Sequence, residues 1–469
     1  MPWPDRLAPA RMTRVAVVAP TPSFRRALVA TAAFGSVELE VAEAGPHPAA
    51  EALRRLATPA AASAPRLLAD QPDLAELELQ GCADLLAGEA ELERRTAAAI
   101  TRGRVSATAG WTPAASLPGL SERLAPLGGA AVPLRPPAGV DPPTLLPERG
   151  LAASFRPLVS LYTTVPYRDV DPSIAAGFVY VLMFGMMFGD VGHGAILVAA
   201  GLAIRASRPR WLARFQTAWP FVVGAGVAAC GFGLAYGEAF GPTGAVPTLW
   251  LAPLDRPTSL LAAGIGVGAV LLGVSYVVGS VNRWREGGPA RAAVAASGLA
   301  GTTLYAGLAL AGGGWYLHLD PLILVGAVAI VAGVGSITVG LLAESGWGPS
   351  GIMQTSIELF DTVVRLGSNV VSFARLAAFG MTHAALGGIV WSATVSLWHR
   401  GVPGALGAGM VFLIGNAIAF ALEALVAGVQ ALRLEYYELF SRLFVAQGSA
   451  FRPWNVPTAS PEEVPCSGS

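Results

Sequence analysis

The stretch DTVVRLGSNVVSFARLAAFGMTH, residues 361–383, is apolar enough to lie in a membrane yet carries Asp361, Arg365, Ser368, Asn369, Ser372, Arg375, Thr382 and His383. At about 100° per residue, positions 361, 365, 368, 372, 375 and 382 fall on one helical stripe. Arg375 is flanked by apolar residues on both sides. An ionised side chain at bilayer depth costs at least about 2.5–3.5 kcal/mol on insertion scales, which marks it as functional and in need of a partner.

The chain around this stretch has a membrane composition, 53% hydrophobic and 13% charged with 56 glycines. Residues 172–445 are long apolar runs parted by short polar loops, whereas 1–171 hold much Arg, Asp, Glu and Pro. A net charge of zero gives no reason to expect a nucleic-acid partner. All 31 basic residues are arginine, which excludes a phosphate loop of the GxxxxGK[ST] type and a Schiff-base lysine. Cys82, Cys230 and Cys466 form no CxxC or paired framework and read as structural thiols. The early apolar run 15–19 is too short for a secretory signal.

The expected fold class is an α-helical polytopic membrane protein with an N-terminal soluble α+β domain. Residues 1–132 read as that domain: 14–19 and 37–41 as strands, 22–34 as a helix capped by Thr21, and 73–100 as a charged helix whose leucines recur at near-heptad intervals, favouring a short coiled-coil arm. Residues 133–171 are expected to be a Pro-rich linker, 172–445 the membrane domain and 446–469 a cytoplasmic tail.

Spans are expected at 218–239, 259–281, 292–311 and 321–342, each near the roughly 20 residues a crossing needs. Two longer ones, 351–398 and 403–444, must tilt or leave the bilayer. The arginine loops at 205, 208, 210, 214 and at 283, 285, 291 should be cytoplasmic. A single crossing at 174–204 would then place the soluble domain outside. Gly189, Asp190, Gly192, His193 and Gly194 within FGDVGHG suit a break instead, giving two short helices at about 174–188 and 192–204, eight membrane helices and both termini cytoplasmic. Asp190 and His193 also admit a metal-ligand or proton-relay reading. With one histidine in a glycine-rich context the structural hairpin is preferred and no metal is expected.

On the last helix, Asn416, Glu423, Gln430, Arg433 and Tyr437 form a second stripe. Two polar seams with one arginine each suggest a shared polar path, and a buried Arg375–Glu423 pair that merely locks two helices is the plainer alternative.

FGMMFGDVGHG (184–194), FGLAYGEAFG (232–241), SFARLAAFGMTH (372–383) and QALRLEYYE (430–438), in this order, resemble the membrane stator subunit, subunit a or subunit I, of rotary V/A-type ATPases. PPTLL (142–146), LYTTVPYRDVDP (161–172) and the opening 15–41 join the resemblance. It implies a non-catalytic, multi-pass cell-membrane subunit with no cofactor, whose two ion half-channels couple rotor rotation to proton translocation. Arg375 and Arg433 match the two essential arginines, His383 and Glu423 the half-channel on one side, and Asp361 that on the other. Ser368, Ser372, Thr382, Asn416, Gln430 and Tyr437 would line the path. Implied partners are the rotor ring of c/K proteolipid subunits, the peripheral-stalk E/G subunits through the N-terminal domain, the remaining ATPase subunits and membrane lipid. Gln430 stands where eukaryotic members tend to have histidine, Arg365 adds a second positive charge beside Asp361, and the N-terminal domain is shorter than usual. A stand-alone proton-coupled secondary transporter is the alternative, although such proteins usually show internal repeats.

Overall fold

The computed structural model describes residues 9–41, 48–56, 64–137, 139–146, 150–206, 215–444 and 448–459. They form two compact units, one of residues 9–147 with 448–469 and one of residues 148–447.

In the first unit, β1 (Met12–Pro20) is central in a sheet ordered β2-β4-β1-β5, where β2 is Glu38–Leu39, β4 Val105–Pro113 and β5 Ala130–Leu134; β3 (Ile100–Arg102) pairs with β4, and all pairings are antiparallel. Val15, Val17 and Ala19 alternate inward along β1 and are buried. They share a core with Leu28 of α1 (Phe24–Phe34) and with Leu120 and Leu124 of α5 (Leu117–Leu124). Crossovers through α1 and α5 make this a split βαβ arrangement. Helix α2 is Pro48–Arg55.

The leucine repeat does not form an arm. Gly81, at φ +69°, ends α3 (Leu74–Leu79), and α4 (Ala83–Ala97) starts afresh. Leu77, Leu85, Leu86 and Leu92 are buried in the unit's cores, so burial rather than pairing with a second helix explains them. Cys82, expected as a free thiol, is disulfide-bonded; Cys230 is free, and Cys466 lies outside the described residues.

The stretch read as a tail completes this unit. Trp454 and Val456 belong to its core. The Trp454 N–H donates to the carbonyl of Val37 at 2.8 Å, its indole N–H donates to Glu91 at 2.9 Å, and Leu67 exchanges backbone bonds with Pro457 and Ala459. The Arg95 guanidinium lies 4.4 Å over the indole ring, a cation–π contact. The stretch read as linker is also structured in part: Thr144 bridges to Ala450, and in the second unit Leu151–Ser160 is helix α6.

The second unit is helical. The break expected at FGDVGHG is present: α7 (Ser173–Met187) and α8 (Val191–Ala206) flank it, each too short to span alone. There follow α9 (Trp219–Tyr236), α10 (Pro257–Val294), α11 (Leu299–Leu317), α12 (Asp320–Ser345), α13 (Pro349–Ser372), α14 (Ala374–Trp398) and α15 (Gly401–Leu434). Helix α10 runs past the expected end of its span and kinks at Gly288, φ +78°, beside Pro289, so α11 begins later than its apolar pattern suggests. Arg208, Arg210 and Arg214 of the first arginine loop lie outside the described residues. Among the described residues, five helical segments are long and apolar enough to cross a membrane: Gln216–Tyr236, Pro257–Val294, Asp320–Ser345, Pro349–Trp398 and Gly401–Leu443.

The opening stretch 361–383 is two helices rather than one. A turn at Phe373 joins α13 to α14, with the Phe373 N–H donating to Val370 at 3.2 Å and its carbonyl accepting from Leu376 at 2.9 Å. Phe373 is wholly buried, its ring against Gly268 of α10 where no Cβ would fit. At 34 residues, α15 is about 51 Å long, well beyond a hydrocarbon core of about 30 Å. It continues through a π-helical turn, Glu435–Phe440, into the short α16, Ser441–Leu443.

Candidate functional site

The helix break between α7 and α8 exists to hold Asp190. Its carboxylate is fully buried and accepts three backbone N–H groups, from His193 (2.9 Å) and Phe240 (3.0 Å) on Oδ1 and from Gly241 (2.9 Å) on Oδ2. Phe240 and Gly241 lie in the loop after α9, so the two glycine-rich motifs interlock through this one side chain. Gly241, at φ +88°, sits against Gly387 of α14, and a Cβ on it would come within 2.7 Å of the Gly387 carbonyl. That approach brings the loop and Asp190 to the level of His383, one turn before Gly387.

At this level three elements converge on a buried polar cluster. His383 Nδ1 is hydrogen-bonded to Glu423 of α15. Its Nε2 lies 4.0 Å from Asp190 Oδ2, and His193 Nδ1 lies 3.9 Å from Asp190 Oδ1. Asn416 faces His193 and donates to the carbonyl of Phe412 at 2.9 Å. Rings of Phe188, Phe240 and Phe420 pack around His193 at 5.4–5.7 Å, which keeps the surroundings apolar and strengthens each polar contact inside. A cavity of about 140 Å³ adjoins the cluster, lined by Thr382, His383 and Glu423 among apolar neighbours.

A second cluster lies eight residues along α14, about 12 Å away at 1.5 Å per residue. Arg375 is half-buried and, with Arg433, Arg442 and the Ser372 hydroxyl, faces the buried carboxylate of Glu438. Asn369, in the amide orientation that satisfies its neighbours, donates to Glu438 (2.8 Å) and to the carbonyl of Arg365 (3.0 Å) and accepts from Arg442 (3.2 Å). Three arginines against one carboxylate leave this cluster net positive.

The predicted residues therefore separate. His383, Glu423, Asn416, Asp190 and His193 come together in the inner cluster, with Gly189, Gly192 and Gly194 around the break. Arg375, Arg433 and Ser372 join the second. Asp361 pairs with Arg365 at 2.7 Å, and both are exposed, as are Ser368 and Thr382; Gln430 is half-buried. Tyr437 is 69% exposed and Glu438 is 8% exposed. Glu438 continues the buried row of Ala431 and Leu434, and Tyr437 the exposed row of Arg433. Glu438 stands inside the quoted QALRLEYYE motif, but the polar stripe read from the sequence runs through Tyr437 beside it. Glu238, buried beside the inner cluster, was missed because it lies on a loop with no periodicity to flag it.

A sequence profile of the V-type ATPase 116kDa subunit family matches residues 101–219. The A-type ATP synthase subunit I of Halobacterium salinarum is 26% identical over 390 residues, covering 67% of this chain and 51% of that one. The subunit I of Aeropyrum pernix is 25% identical over 367 residues, covering 68% and 51%. Over residues 101–219 the chain is similar to the V-type ATPase 116 kDa subunit family, and over about two thirds of its length to A-type ATP synthase subunit I proteins. The V-type ATP synthase subunit I 2 of Treponema pallidum adds a shorter match, 38% identical over 112 residues and covering 24% of each chain. The chain spans about half the length of the archaeal family members it matches, 51% of the first.

Proposed function

We propose that the chain is the membrane stator subunit of a rotary V/A-type ATPase, forming two ion half-channels against a rotor ring and coupling its rotation to proton translocation. Eight membrane passes, counting the α7–α8 hairpin as two, with both termini cytoplasmic, fit this reading, as do rotor-ring and peripheral-stalk partners. One observation carries it: the polar groups on α14 and α15 divide into a buried acid–histidine cluster and, about 12 Å along, an arginine-rich cluster.

A rotor carboxylate must be neutral while it faces lipid, because an isolated charge there is prohibitive. Opposite Arg375 and Arg433 its ionised form is favoured. A unit pair at about 4 Å and an effective dielectric of about 20 is worth about 4 kcal/mol, ample to drive proton release. Glu438 neutralises only one of three arginines, so positive charge remains for the passing carboxylate. The inner cluster of His383, Glu423, Asp190 and His193 then conducts protons on one side of this barrier and the Asp361 face serves the other. The fixed positive charge between them blocks a direct leak.

The test is Arg375→Ala in the assembled complex, with ATP-driven acidification of liposomes read by a pH-sensitive dye. Pumping should fall to background while the subunit still assembles. Pumping that survives the substitution overturns the reading.

A further inference from the structure

We propose that Asp190, His193 and His383 form a binding site for a divalent transition metal of the zinc class. All three are buried, and one ligand atom from each lies within 4.8 Å of the others. The sequence argued against a metal because FGDVGHG holds a single histidine; the fold brings a second one, from α14, to the same point.

The hydrogen bonds leave the right atoms available. Asp190 Oδ1 takes two backbone N–H groups, whereas Oδ2 takes only that of Gly241 and keeps a lone pair. Glu423 accepts from His383 Nδ1, which places the proton there and leaves the Nε2 lone pair pointing towards Asp190 Oδ2. Two acceptors thus face each other, and a shared cation turns that pairing from repulsive to attractive. His193 supplies a third ligand: it is 2% exposed, and its ring faces Asp190 and the Asn416 amide.

Glu423–His383–metal is the carboxylate–histidine arrangement that orients metal-binding imidazoles. Two imidazoles and a carboxylate with an open fourth position match zinc and its neighbours, and they select against Ca²⁺ and Mg²⁺, which take oxygen ligands. Bonds of about 2.0–2.1 Å set tetrahedral ligand atoms about 3.4 Å apart. His383 Nε2 and Asp190 Oδ2, 4.0 Å apart, need to close by about 0.6 Å, and the three ligand atoms, within 4.8 Å of one another, by no more than about 1.4 Å. The cavity beside Thr382 gives a route in. Both imidazoles must be neutral to bind, so protons compete and affinity falls with acidity. If the proposed function holds, on which this last step rests, a bound metal occupies the proton path and stops pumping.

Co²⁺ added to the purified full-length protein in detergent should show the intense visible bands of a four-coordinate ion, displaced by Zn²⁺ and weakened as pH falls. His193→Gln and His383→Gln, each checked for a monodisperse elution profile and native helix content, should abolish the bands. Glu423→Gln should lower Co²⁺ affinity about 10–100-fold, and His318→Gln should change nothing. Absence of bands in well-folded native protein, or bands that persist in both cluster variants, overturns the site. Where both variants lose their fold, Glu423→Gln decides alone: a weakened affinity upholds the site and an unchanged one overturns it. Micromolar Zn²⁺ should also inhibit ATP-driven pumping by the assembled complex. Binding without inhibition upholds the site and overturns its place on the proton path.

Discussion

At the residue scale, Asp169 shows what burial does to one carboxyl group. It sits in the segment before α7, fully buried, and burial together with the neighbouring Glu286 carboxylate pushes its pKa up to about 7, against the opposing pull of Arg283 and Arg285. A raised carboxyl pKa means the folded chain holds a proton that the unfolded chain has lost between about pH 4 and pH 7. Stability contributed by that proton is therefore lost as pH rises across this window, and the penalty is complete above pH 7. At about 1.4 kcal/mol per pH unit it reaches about 4 kcal/mol at most. Asp169→Asn should raise the thermal unfolding temperature of the detergent-solubilised protein at pH 8 and leave it nearly unchanged at pH 4. An equal effect at both pH values would show that Asp169 does not titrate in this window.

Elements decide which residues can act together. At the end of the last long helix Glu438 faces the arginines in line with buried Leu434, while Tyr437 faces outward in line with exposed Arg433. Glu438→Gln removes the charge facing Arg375, Arg433 and Arg442 and should lower ATP-driven proton pumping at least about tenfold, in keeping with the few kcal/mol carried by a buried charge-assisted contact. Tyr437→Phe should leave pumping within about twofold of the native rate. The reverse ranking would mean that Tyr437, and not Glu438, faces the path in the working complex. The break between α7 and α8 acts in the same way, since an unbroken helix would leave Asp190 without the N–H groups of Phe240 and Gly241.

For the molecule as a whole, chain connectivity is the unexpected feature. The chain leaves the sheet unit, passes through every membrane helix, and returns so that Trp454 and Val456 complete the core in which it began. Trp454→Ala removes a buried aromatic, its hydrogen bond to Glu91 and its stacking with Arg95. The substitution should destabilise that unit by about 3–5 kcal/mol. Faster tryptic cleavage within residues 9–147 at fixed temperature is the readout. Unchanged cleavage would mean that the segment adds no stability.

Hydrophobic runs and the glycine break determined the helical membrane class and the broken first hairpin, because each is a local signal: length, period, or a backbone freedom only glycine offers. The meeting of Asp190, His193, His383 and Glu423 was not legible, since it depends on helices far apart in the chain being pressed together at Gly241 and Gly387. Glu438 was hidden because the polar stripe ran one residue away, through Tyr437, and Trp454 by a short polar segment with no pattern of its own. The sequence alone determined which long runs are apolar and which polar groups interrupt them. Only the tertiary structure decided which of them face one another, because hydrogen bonding and charge pairing act over a few ångströms in space, whatever the separation along the chain.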